Sequence, residues 1–447
     1  MKKKMGCRPL FVRPVKITKV EYFFLKIGYY FVILQFCKQI GLEMKIDEIR
    51  AMFPSLSETV YGKRLVYFDN AATAQRPENV LKMQDEYSRT ANANIHRGVH
   101  YLSNVATEHY EAARDAVRSF INAPSREEII FTSGTTASIN LVAYSFGEAF
   151  VKEGDNVVVS AVEHHSNIVP WQLLCRRKGA ALRVIPVNDD GSLRIEELGS
   201  LIDSRTRIVS VTQISNVLGI INPVREIVSI AHEKGVPVLV DGAQGIVHCG
   251  VDVQELDCDF YAFSGHKIYA ATGTGVLYGK KKFLDAMPPF LSGGEMVGTV
   301  KFENTTFAPL PMKFEAGTQN FIGQATLKPA LELAASLKDA EQEEYGKEVT
   351  AFLFDALNSD PRIVLYGTAR PRVPVFSFSV KGAHHEDLAQ ILDKMGVAVR
   401  SGQMCAEPVM DRFGVSGMLR ASLAPYNTLE EAELFVKSLD RAIGMLV

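Results

Sequence analysis

The chain has 447 residues, 49 Lys and Arg against 51 Asp and Glu, and ordinary apolar and charged fractions of 47% and 22%, so two globular domains are expected and nothing asks for nucleic acid. Its six cysteines (Cys7, Cys37, Cys175, Cys249, Cys258, Cys405) form no CxxC pair and no regular framework. That excludes the signatures of a disulfide scaffold or a metal site, and the thiols read as those of a reduced, cytoplasmic protein, most of them buried as small apolar groups.

The first 43 residues differ from the rest, with nine Lys or Arg against two Glu. Tyr22–Cys37 is apolar but shorter than the roughly 20 residues of a spanning helix, and Lys26 interrupts it, so membrane insertion is not expected. No small-x-small cleavage pattern follows. Met44 reads as the start of the globular protein, and the preceding stretch as an upstream extension, an interfacial helix or a targeting segment. From Met44 an amphipathic helix (Ile46, Ile49, Met52, Phe53) leads through a turn at Tyr61-Gly62 to Val66–Asp69. Glu128–Thr132 reads as a strand and Thr135–Ala149 as a helix. Asn156–Ser160, Ala181–Ile185, Arg207–Thr212 and Val236–Asp241 are further short apolar strands, and Asp257–Lys267 carries another. Strands alternating with helices predict an α/β fold with a mainly parallel sheet covered on both faces. Beyond about residue 330 a long charged helix (Leu331–Asn358), the strand Val373–Val380, a helix His385–Met395 and a last helix from Thr428 predict a smaller α+β domain.

Chemistry gathers at successive strand ends, where doubly wound sheets bind ligands. Lys267 closes Ser264-Gly-His-Lys267, downstream of a strand ending in Asp241. A lysine able to form a Schiff base and an aspartate able to keep a pyridine nitrogen protonated are what a pyridoxal 5′-phosphate (PLP) site needs. Gly134 permits a sharp turn before a helix whose Thr135 and Thr136 offer donors to a phosphate. Ser264 and His266 add two more. His164 could stack on a pyridine ring and move protons. Asn216 suits the cofactor's 3′-oxygen or a substrate carboxylate, and Gln244 the 3′-oxygen. Arg420 is a bidentate clamp for an α-carboxylate. Cys405 lies in a loop with Gly and Pro nearby and Arg400 five positions upstream, a setting for an exposed, mobile thiol. Each feature alone has a plainer reading: a helix cap, a loop histidine, a surface ion pair, an inert cysteine.

From about Met44 to Val447 the chain resembles the class V aminotransferase-fold enzymes, and among them the group II, SUF-type cysteine desulfurases. The resemblance rests on Tyr67–Pro77, Asn94–His100, Glu163–Gln172, Ser264–Lys267, Phe314–Thr318 and Arg420–Asn427. It implies a PLP-dependent transferase type I fold: a large domain (65–330) with a seven-stranded, mainly parallel sheet, a small C-terminal domain (331–447) carrying the nucleophile loop, and a segment 44–64 packed on the small domain. It implies a homodimer in which Thr318 reaches the neighbour's PLP phosphate. It also implies that Lys267 binds PLP, that His164 stacks on it, and that Arg420, with Asn216, holds L-cysteine. Cys405 would take the sulfur as a persulfide, releasing L-alanine, and pass it to an acceptor protein for iron–sulfur cluster assembly. Many relatives have histidine before the cysteine; here Gln403-Met404 stand there, which bears on thiol acidity and on the acceptor. The competing readings are a selenocysteine lyase or other β-lyase acting on L-selenocysteine or a related amino acid, an aminotransferase or kynureninase-like hydrolase, and a non-catalytic scaffold.

Overall fold

Runs dense in Val, Ile and Phe pair into a seven-stranded sheet in the computed structural model of the chain, which describes residues 42–338 and 340–447. The strands are β1 (Ile129–Thr132), β2 (Asn156–Ser160), β3 (Ala181–Ile185), β4 (Thr206–Thr212), β5 (Val238–Asp241), β6 (Phe260–Ser264) and β7 (Gly275–Gly279). Their order is β1-β7-β6-β5-β4-β2-β3. β2 to β6 pair in parallel, and β7 is antiparallel to both of its neighbours. The mainly parallel sheet expected from the sequence is therefore present. β1, β2, β5 and β6 are buried almost throughout, as strands covered on both faces must be. The edge strand β3 is largely solvated. β7 escaped the sequence reading because only three residues separate its bounding glycines. Pro237 lies just before β5, where no ladder donor is missed.

The longer helices are α1 (Leu42–Ala51), α2 (Glu78–Thr90), α3 (Tyr101–Phe120), α4 (Thr135–Phe150), α5 (Val169–Lys178), α6 (Val224–Glu233), α7 (Leu327–Ser336), α8 (Ala340–Ser359), α9 (His385–Lys394), α10 (Glu407–Phe413) and α11 (Leu429–Leu446). The single helix expected at Leu331–Asn358 is instead two, α7 and α8. Their apolar stripes serve different cores: Leu327, Leu331 and Leu337 join the main cluster with α3, whereas α8 packs on α11. α11 starts one residue after Thr428, whose side chain and Glu431 form a reciprocal capping box. Of the face expected to be apolar, Ile46, Ile49 and Phe53 are buried, whereas Met52 is 40% exposed and, with Phe53, lies beyond the end of α1. The readings made for residues 1–41 lie outside the described residues.

A second, antiparallel sheet has the order β8-β9-β11-β10, with β8 (Ile363–Tyr366), β9 (Val375–Val380), β10 (Arg400–Gly402) and β11 (Met418–Ser422). Residues 49–447 form one compact unit. Within it, the segment 66–71 laces the second sheet to the first. Val66–Tyr67 pairs with Val397–Ala398, and Ser422 N donates to Phe68 O at 2.7 Å. This brings β10 and β11 to the carboxyl ends of β2, β4, β5 and β6.

Candidate active site

A cavity of about 540 Å³ opens at those strand ends, within the usual range of roughly 300–1,000 Å³ for ligand pockets. One end is a cradle of hydroxyls at the start of α4. Gly134 has φ 148° and ψ 175°, a conformation open essentially only to glycine, and it turns the chain from β1 into α4. Ser264 Oγ, at the end of β6, accepts from Thr135 N at 2.8 Å and lies 2.8 Å from Thr135 Oγ1. Thr136 Oγ1 is 2.6 Å from Ser166 Oγ. His266 also lines the cavity, with Nδ1 3.1 Å from Thr73 Oγ1. A β-carbon placed on Gly275 of β7 would come within 2.3 Å of Gly134 Cα, so the cradle fits only because both residues are glycine.

In the middle stand Asp241, His164 and Lys267. Asp241 ends β5, is 3% exposed, and its Oδ1 accepts from Ala243 N at 2.9 Å. Among the described residues its Oδ2 has no hydrogen-bond partner. Burial raises its pKa, with the nearby Lys267 charge opposing. Burial pulls the Lys267 amine down to about 8; Asp241 opposes this, Arg420 reinforces it, and the Cys405 thiol is close enough to oppose it too. Burial and then the Lys267 charge hold His164 near 4. Its Nδ1 accepts from Ser166 N at 3.1 Å, which assigns the proton of the neutral ring to Nε2. Behind it Glu163 is fully buried, and that burial raises its carboxyl to about 8. It bonds Ser160 Oγ of β2, Thr212 N of β4 at 2.9 Å and Asn167 Nδ2 at 2.7 Å.

The far end is cationic. Arg420 on β11 is 2% exposed; NH1 donates to Asn216 O at 2.9 Å and NH2 meets Asp69 Oδ1 at 3.1 Å. Its buried Nε has no partner among the described residues. Arg400 NH2 meets the other Asp69 oxygen at 2.8 Å. Asp69 thus bridges two guanidiniums at the cavity wall. The sequence reading passed over Asp69, although it sits in the Tyr67–Pro77 motif, and treated Arg400 only as a nearby charge. Two amides line the cavity, each with one N–H engaged: Asn216 Nδ2 donates to Met404 O at 2.9 Å, and Gln244 Nε2 to Ala71 O at 2.8 Å. Each keeps its second N–H and its oxygen.

Cys405 shares this cavity with Lys267. Cys175 and Cys258 are buried and Cys249 half-buried, and burial drives all three thiols up, Cys175 to about 11. Cys405 is exposed. Its carbonyl accepts from His165 N at 2.7 Å, which ties the loop to the segment after β2. Thr318 does not line the cavity of its own chain.

Residues 66–435 match the Aminotransferase class-V family. Over 406 residues the chain is 47% identical to a cysteine desulfurase of Cronobacter sakazakii and 48% identical to one of Escherichia coli O8, covering 91% of this chain and 100% of each relative. Among solved structures it is similar to the S-sulfonic acid form of the E. coli cysteine desulfurase CsdA, with TM-score 0.83, 39% identity, and 90% and 99% of the two chains covered. It is also similar to the apo cysteine desulfurase of Thermococcus onnurineus NA1, with TM-score 0.84, 37% identity, and 90% and 98% covered.

Proposed function

The chain belongs to the Aminotransferase class-V family, and from that premise and the geometry of its cavity we propose that it is a SUF-type cysteine desulfurase. Its cofactor is pyridoxal 5′-phosphate, which when bound supplies a Schiff-base carbon and an electron sink for charge developing at the substrate α-carbon. The residues present fit that group. Asp241 offers a free carboxylate oxygen at the cavity floor, the Gly134 cradle offers hydroxyls and a helix N-terminus, and the amine pulled down to about 8 is partly unprotonated near neutrality.

In this reading Lys267 would hold the cofactor and carry the substrate α-proton. Asp241 keeps the ring nitrogen protonated. Thr135, Thr136, Ser264 and His266 would hold the phosphate, and neutral His164, its proton on Nε2, would flank the ring. The Arg420 guanidinium, which lines the cavity, receives the substrate α-carboxylate. Cys405 attacks the substrate sulfur as the thiolate. The Sγ–S bond forms as the substrate Cβ–S bond breaks, the bonding pair stays with the carbon skeleton, and protonation at Cβ yields L-alanine and a Cys405 persulfide. The observation that carries the reading is Cys405 lining the cavity of Lys267. Exposed Val99, Tyr101, Leu291, Val300 and Phe302 support a homodimer, in which Thr318 serves the partner's phosphate site. An acceptor protein for iron–sulfur assembly in the cytoplasm would then collect the sulfur. The test is mass spectrometry after L-cysteine: the Cys405 peptide gains about 32 Da, one sulfur atom, and Cys405→Ser abolishes both the gain and alanine release. Wild-type alanine release by Cys405→Ser would refute the mechanism, and a preference for L-selenocysteine that survives this substitution would favour the lyase.

A further inference from the structure

The residue beside the ring-flanking histidine has a separate task. Met404 and Cys405 lie consecutively in the left-handed region, with φ 50° and 54°, where L-residues seldom sit. Something must hold them there. The Met404 side chain is buried in the main core cluster, and its carbonyl accepts from Asn216 Nδ2 at 2.9 Å. The Cys405 carbonyl accepts from His165 N at 2.7 Å. The third tie is made by the His165 ring, whose Nε2 accepts from Glu407 N at 3.0 Å. Glu407 opens α10, and Ala406 before it has no side chain able to cap that helix. The cap therefore comes from 242 residues upstream. Peptide and ring of one histidine grip the loop on either side of Ala406.

We propose that His165 is a positioning residue for the nucleophile: it clamps the 403–407 loop to the segment that carries His164, so that Cys405 is presented over the cavity in one strained backbone geometry. The inference rests on Cys405 being the nucleophile. It explains why two adjacent histidines stand at this strand end. His164 faces the ring and His165 faces the thiol loop, so a shift in one segment moves both halves of the chemistry together.

The test compares full-length, cofactor-loaded wild type with His165→Ala and His165→Gln. Without substrate, hydrogen–deuterium exchange at the Glu407 amide accelerates in His165→Ala by about tenfold, as loss of one hydrogen bond requires. With L-cysteine, kcat for persulfide formation falls by about 10- to 100-fold, the scale of a misplaced reacting group, while KM stays within about twofold. His165→Gln, whose amide oxygen can accept from Glu407 N, recovers most of both. Should His165→Ala fail to fold, His165→Asn, too short to reach Glu407 N, shows the same two defects. Unchanged exchange in the Ala or Asn variant overturns the clamp. Faster exchange with undiminished kcat overturns the positioning role alone; the nucleophile assignment stands or falls separately, on whether Cys405→Ser abolishes alanine release.

Discussion

Replacing Arg420 with lysine separates what this residue does for the fold from what it does for a substrate. The guanidinium is buried, donates to Asn216 O and meets one Asp69 oxygen, and keeps Nε free. A lysine retains the positive charge but offers a point of charge in place of a planar fork. Asp69 is not stranded, because Arg400 still meets its second oxygen at 2.8 Å. The fold therefore loses one or two hydrogen bonds, about 1 kcal/mol each. A carboxylate docked on the guanidinium edge loses a charge-assisted bidentate contact worth about 1.5–3 kcal/mol, which is about 10- to 150-fold in kcat/KM. Alanine release against L-cysteine concentration, with cofactor content read from absorbance and stability from the urea midpoint, measures both. The expected result is a large fall in kcat/KM, unchanged cofactor content and a small shift in midpoint. A kcat/KM within about twofold of wild type would refute the reasoning and leave Arg420 as a structural tie between Asp69 and Asn216.

Glu163→Gln should change the pH dependence of stability. The folded carboxyl is raised from 4.5 to about 8, so its contribution is full below the unfolded pKa and is lost as pH rises through the folded one; urea midpoints of wild type relative to the Gln variant should fall between about pH 5 and 8. Gly275→Ala should loosen the phosphate cradle, because the new β-carbon would meet Gly134 backbone at 2.3 Å; cofactor retention on dialysis should drop by about tenfold or more, an overpacking cost of about 1–3 kcal/mol. Glu315→Ala should lower stability by about 1.5–3 kcal/mol in urea unfolding, since it removes the buried partner of Arg114, 0% exposed and paired to Glu315 at 2.7 Å, and leaves that guanidinium only Glu111 and the Ile129 carbonyl. The Glu315 carboxylate accepts from Phe131 N on β1 at 2.8 Å, so the loss should also disturb the entry to the Gly134 turn.

Most of the candidate site was legible because its chemistry sits at strand ends, and strand ends can be read locally. Asp241 and Ser264 end their strands, Lys267 and His164 follow theirs by three and four residues, and all line one cavity. What was not legible depends on contacts made across the chain. Asp69 acquires its meaning from Arg400 and Arg420, more than three hundred residues away. Nor does any local pattern show that one N–H of Asn216 is taken by the Met404 carbonyl and one of Gln244 by that of Ala71.

The same division accounts for the two misread elements. Propensity favours one continuous helix from Leu331 to Asn358, and only the separation of the two cores, one under α3 and one under α11, breaks it into α7 and α8. β7 offers three apolar residues between glycines, too little for a periodicity, yet the first of them, Gly275, is what lets β7 lie against the Gly134 turn. Close approach demands residues without side chains, and a residue without a side chain carries no hydrophobic signal. The strand that the phosphate cradle most depends on for room was for that reason the one the pattern could not reveal.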